Sequence, residues 1–130
     1  MLVIFNKLQD ILLVSFGAIL GVNIRFIIYK EFDKLNFNTY YSILIINTLA
    51  SFFLGFFLSI LTRISSYDVS YQLALLVSIG LLGSLSTLST FVYDLFDFFI
   101  QLKFFKALKL FFLSLLLGII ALACGSFIGR

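Results

Sequence analysis

Several residues able to handle an ion sit inside some of the most apolar stretches of this chain. The segment GSLSTLSTF, Gly83 to Phe91, carries hydroxyls at Ser84, Ser86, Thr87, Ser89 and Thr90. It is flanked by the apolar runs YQLALLVSIGLL and VYDLFDFFIQL. One or two hydroxyls in hydrocarbon mean little, because each can bond to the carbonyl one turn back on its own helix. Five of them, following Gly80 and Gly83, predict a helix that unwinds, in a chain with no proline to break one. Unwound backbone at membrane depth must be buried in protein or line a cavity. There its freed carbonyls can hold a cation, while the N-terminal end of the resumed helix favours an anion. The competing reading is a continuous helix with a polar packing face.

Other polar residues extend this pattern. Asn47 stands alone in ILIINTLASFFLGF, where its amide either bridges two helices or offers its donors to a passing anion. Arg25, in GVNIRF, either snorkels to the membrane boundary or makes a positive vestibule that concentrates anions. Asp94 and Asp97 share a helix face, and Asp94 lies only three residues past Phe91. Most of the 18 phenylalanines must face lipid or fill the interior, but Phe91 ends the hydroxyl cluster. The positive edge of an aromatic ring can face a small, hard anion without formal charge. Hydroxyls and amides must then replace the rest of the anion's hydration.

The elements that position these groups are membrane helices. Hydrophobic residues make up 62% of the 130-residue chain and charged residues 12%, with a mean hydropathy of +1.19. That is too little polar surface for a soluble domain. Four runs stand out: Ile11–Tyr29, Ser42–Thr62, Tyr71–Leu102 and Leu108–Ile128. They match or exceed the ~20 residues that cross a ~30 Å hydrocarbon core as a helix. The sequence therefore predicts an all-α membrane protein, residues 1–130 forming a single four-helix transmembrane domain. The polar connections KEFDKLNFN, RISSYDVS and KFFK are short. The first run is too long for a signal peptide, and no small-residue cleavage site follows it.

Small residues recur at helical spacing: Gly17 and Gly21, Ser51 and Gly55, then Ala121, Gly125 and Gly129. Such rows let helix backbones approach closely, within one chain or between two. A single cysteine, Cys124, excludes an intrachain disulfide, and the absence of histidine excludes imidazole chemistry. Nothing pairs a nucleophile with a base, so no enzyme is expected. The basic residues lie at span ends, a pattern of lipid headgroup contact and not of nucleic-acid binding. Lys30, Lys34, Lys103, Lys106 and Lys109, with Arg25 near them, oppose Lys7, Arg63 and Arg130. This bias favours external termini. It is modest enough to suit insertion both ways, or one way beside an oppositely oriented partner.

Three motifs, GAILGVNIRF, NTLASFFLGF and GLLGSLSTLSTF, occur in this order with short connections. With them the chain resembles, over essentially its full length, the CrcB or Fluc family of small bacterial fluoride channels. The third motif is the most specific, being similar to the family pattern G-x-x-G-G-x-T-T-F-S-T-F. The resemblance implies a multi-pass protein of the cell membrane, with the third helix broken near Gly83–Thr87. It implies an antiparallel dual-topology dimer with two narrow fluoride pores. A structural sodium ion at the dimer centre is implied too, held by backbone carbonyls at Gly83 and Ser86. The family's pore-facing asparagine falls on Asn47, its hydroxyl track on Ser89 and Thr90, and its second pore phenylalanine on Phe91. Its vestibule arginine falls on Arg25 and a common glutamate on Asp94. The implied function is passive export that lowers fluoride toxicity. Fluoride enters as its neutral acid, is trapped as the anion, and leaves down the membrane potential.

Departures from the pattern qualify this expectation. Leu88 stands where the first pore phenylalanine is expected, Ser84 and Ala50 where glycines are, and Ser86 where threonine is usual. In that family the two phenylalanines of one pore come from opposite subunits. A homodimer of this chain would lack one in both pores, whereas a heterodimer with a paralogous subunit could keep one pore complete. Leu88 also leaves a second reading, a non-conducting or half-functional subunit of such a pair. A third reading, a small multidrug-type exporter, would need a carboxylate deep in the first span, and Ile11–Tyr29 contains none.

Overall fold

The computed structural model describes residues 1–36, 38–64, 66–86 and 88–130. All regular structure among them is helical. In chain order it comprises α1 (Leu2–Lys34), α2 (Thr39–Leu61), α3 (Tyr67–Leu73), a π-helical segment (Ala74–Leu82), α4 (Gly83–Leu85), α5 (Leu88–Ile100) and α6 (Phe104–Ile128). Four stretches are long and apolar enough to cross a membrane: Val3–Lys34, Tyr40–Leu61, Tyr67–Ile100 and Phe104–Ile128. The third of these is composite, running from α3 to α5. This is the architecture of a multi-pass membrane protein.

Helices overrun the apolar runs that mark them. The 33 residues of α1 make a rod of about 50 Å at ~1.5 Å per residue. It takes in the whole of the polar stretch KEFDK, where Lys34 and Glu31 pair at 2.6 Å in the last turn. Asn36 then turns the chain with a left-handed φ of 54°, a conformation that asparagine tolerates better than most residues. The turn into α6 is tighter. Leu102 also adopts a left-handed φ, 56°, while Lys103 N–H donates to Phe98 O (2.9 Å) and Leu102 N–H to Phe99 O (3.1 Å). These two bonds make the helix-ending motif that usually places glycine at the left-handed position.

Helix pairing skips a neighbour. The first helix lies along the π-helical segment and α4, and α2 lies along α6. Glycines permit both contacts. A Cβ at Gly17 would collide with Leu76 O and sit 3.1 Å from Gly80 Cα; one at Gly125 would collide with Phe52 O and sit 2.9 Å from Phe56 N. The small-residue rows thus serve packing within the chain. Gly80, read from sequence as part of an unwinding point, belongs to this packing, since a Cβ there would sit 3.0 Å from Gly17 Cα. Ser59 Oγ adds a hydrogen bond to Ser126 O (3.0 Å) between α2 and α6.

The core joins α2 to the third span through Ile46, Ala50, Leu82 and Leu85, with Ile28 and Phe32 of α1 packed against it. Outside it, large apolar side chains such as Phe105, Phe127 and Leu88 are exposed. This surface suits lipid or another membrane helix, not water.

Candidate functional site

Below α4 the third span changes direction. Ser86 has extended backbone angles, φ −77° and ψ 140°, after the right-handed helical residues that precede it, and helix resumes at Leu88. An extended residue turns its carbonyl away from the helix axis, out of reach of the regular helical donor. Its own N–H still bonds to Leu82 O (3.2 Å). Thr87 lies outside the described residues.

Two cavities follow this bend, both between α2, α5 and α6. The inner one, of about 410 Å³, is lined by Asn47 and Ser51 of α2, Ser86, Leu88 and Phe91 of the third span, and Ser114 of α6. Four residues singled out from sequence (Asn47, Ser86, Leu88 and Phe91) therefore meet round one space. Phe91 is held by Phe111 of α6, with ring centroids 6.4 Å apart at 32°. A Cβ added at Gly118 would lie 3.5 Å from Ser51 Oγ, so this glycine keeps the same cavity open. The outer cavity, of about 690 Å³, forms a mouth at the end of the bundle. Thr90, Asp94 and Asp97 of α5 line it with Tyr40 and with Lys106 and Lys109 of α6.

The remaining sequence-selected residues lie elsewhere. Ser89 is exposed and lines a shallow outer depression with Leu88 and Phe96. Gly83 is exposed as well, and the space beside its Cα holds only Ser78 O, at 3.7 Å. Arg25 donates from Nη1 to Ser84 O (3.3 Å) and does not line the mouth. Ser84 Oγ donates towards Ala18 O (3.1 Å) and Leu81 O (3.0 Å), so this hydroxyl joins α1 to α4.

Sequence reasoning placed Ser51 only in a packing row with Gly55 and passed over Ser114 and Gly118. For Ser51 the signal was its place one turn after Asn47, on the same face. Ser114, with apolar residues on both sides in α6, gave no such signal. Its partner hydroxyls come from distant parts of the chain.

The four apolar helices, with Asn47 and three serines lining a cavity among them, define a helical membrane protein. A family model described as CrcB-like protein, Camphor Resistance (CrcB), matches residues 12–126. The chain is 57% identical over 122 residues to the fluoride-specific ion channel FluC 2 of Prochlorococcus marinus (strain NATL2A), covering 94% of this chain and 98% of that one. It is 33% identical to the fluoride-specific ion channel FluC 1 of Parasynechococcus marenigrum (strain WH8102), covering 92% and 93%. It is 31% identical to the fluoride-specific ion channel FluC of Thermosipho melanesiensis, covering 92% and 94%. The chain belongs to the CrcB/Fluc family.

Proposed function

We propose that the chain is a subunit of a fluoride-selective channel of the cell membrane, passing cytoplasmic fluoride outward by passive flux. The observation that carries this reading is the inner cavity, where Asn47, Ser51, Ser86 and Ser114 share the lining with Phe91 and with apolar residues such as Leu88 and Leu115. A small, hard anion leaving water needs hydrogen-bond donors in place of its hydration shell. Hydroxyl and amide donors supply them without the tight grip of a full charge, and the ring edge adds a weakly positive wall. Thr90, next to Phe91 in sequence, opens onto the mouth and continues the polar lining outward. The names of the relatives support fluoride as the anion.

In this reading one domain, residues 1–130, pairs antiparallel with a second subunit, and its third span is broken at Ser86. A structural sodium ion sits between the subunits. The extended Ser86 and the exposed Gly83 suit half of such a site, because sodium is a hard cation that takes neutral carbonyl oxygens. The other half would come from the partner. A second reading, one subunit of a heterodimeric channel, is favoured by Leu88. It lines the inner cavity and is 75% exposed, leaving an aromatic position empty that a paralogue could fill. The numbers 1 and 2 in the relatives' names accord with paralogous pairs.

Fluoride efflux from liposomes containing this chain alone, followed with a fluoride electrode and with chloride as control, tests both readings. Fast efflux of fluoride but not chloride is expected, and Phe91→Ile should abolish it. No efflux from folded protein would overturn the homodimeric channel and move the assay to the chain paired with a paralogue.

A further inference from the structure

The mouth cavity contains charges that the pore reading does not use. Lys106 and Lys109, one turn apart on α6, line it together with Asp94 and Asp97 of α5. Among the described residues the one ion pair is Lys34–Glu31, so neither lysine is neutralised by direct contact. Asp97 is engaged differently. Its Oδ2 accepts from Gln101 Nε2 (2.7 Å), and Gln101 Oε1 accepts in turn from Lys103 Nζ (2.6 Å). This relay links Asp97 through the neutral Gln101 to a third ammonium, so the mouth and its rim set three lysines against two carboxylates. The cation expected at this position from sequence, Arg25, is instead bonded to Ser84 O.

The geometry also links these lysines to the inner cavity. On α6, Lys106, Leu110, Ser114 and Gly118 follow one another at four-residue spacing and share a face. Lys106 lines the mouth, Ser114 and Gly118 line the inner cavity, and Leu110 between them is fully buried. On α5 the adjacent Thr90 and Phe91 make the same step from one cavity to the other.

We propose that Lys106 and Lys109 are the anion-capturing residues of this mouth. Resting on the fluoride-channel reading, the proposal assigns them control of the response to dilute fluoride. A compact, strongly hydrated ammonium on a flexible stem raises the local concentration of an anion that still keeps its water. The donors beyond then replace that water. Such an attraction is long-ranged in dilute salt, where screening lengths reach ~30 Å at ~0.01 M, and fades as they shorten to ~3 Å at ~1 M.

The test compares the full chain with K106Q/K109Q and K106R/K109R in liposomes over a range of fluoride concentrations. At low ionic strength K106Q/K109Q should carry several-fold less flux at low fluoride, reach the same plateau, and match the parent chain in high salt. The arginine pair should behave as the parent. An equal loss at every fluoride concentration, or no loss in dilute salt, overturns the proposal. A second measurement does not depend on conduction. In a Cys124→Ala background, Asn38→Cys puts a thiol at the mouth, where Asn38 lines the same cavity. Adding K106Q/K109Q should lower its rate of modification by an anionic thiol reagent several-fold relative to a cationic one. An unchanged ratio removes the lysines from the mouth. A parent chain that fails to pass fluoride but shows the shifted ratio would overturn the channel reading and leave anion capture standing.

Discussion

At the scale of single residues, Arg25 and Leu88 show how one side chain acts on the bend of the third span. The guanidinium of Arg25 meets Ser84 O, in the last turn before the extended Ser86. A cation at the carbonyl end of a helix satisfies an orphan acceptor and opposes the negative end of the helix dipole. Arg25→Gln should therefore cost about 1.5–3 kcal/mol, the range of a hydrogen bond to a charged group, read as a lower thermal midpoint in detergent. Leu88 faces the inner cavity without an aromatic edge. Leu88→Phe should raise fluoride flux of the chain alone; a lower flux would mean that the leucine is fitted to its pore. The lining of the two cavities was legible in sequence where its residues cluster locally, as at Ser86, Thr90 and Phe91. It was illegible where the contributor comes from a distant helix, as Ser114 does, or where a residue had two uses, as Arg25 did.

At the scale of elements, glycines sort into those that seat helices and two, Gly83 and Gly118, that do not. Gly125 lies against the backbone of α2, and Gly125→Ala should separate α2 from α6 at a cost of about 1–3 kcal/mol, typical of overpacking. Gly83 has room for a methyl group inside its own subunit. Gly83→Ala should leave the subunit's helix content and monomeric packing intact and weaken the dimer, as read by size-exclusion chromatography. A stable dimer carrying alanine would displace Gly83 from the subunit interface. Hydropathy alone revealed the four spans because hydrocarbon thickness sets their length. It did not reveal their ends, since polar residues such as Glu31 and Lys34 support a helix once it leaves the hydrocarbon. The π-helical segment Ala74–Leu82 left no mark in the sequence either, because its apolar residues would suit an ordinary helix equally well.

At the scale of the whole molecule, the exposed apolar surface suits a partner subunit as well as lipid, and the sodium site proposed at Gly83 and Ser86 requires one. If sodium binds the assembled pair and not the separate subunits, it stabilises the dimer by mass action. Replacing it with a large organic cation should then shift the chain towards monomer, and indifference to sodium would remove that role from Gly83 and Ser86. The pairing of α1 with the third span, and of α2 with α6, has a further consequence for biosynthesis. Each span makes its most extensive contact with a span that is not its neighbour in sequence, so the nascent chain cannot complete its packing hairpin by hairpin. Until the third span has left the ribosome, Gly17 and Gly21 have only lipid beside them, and Gly55 and Ser59 wait for the last. At ~5–20 residues per second, that interval is the time in which membrane proteases can tell an unfinished chain from a finished one.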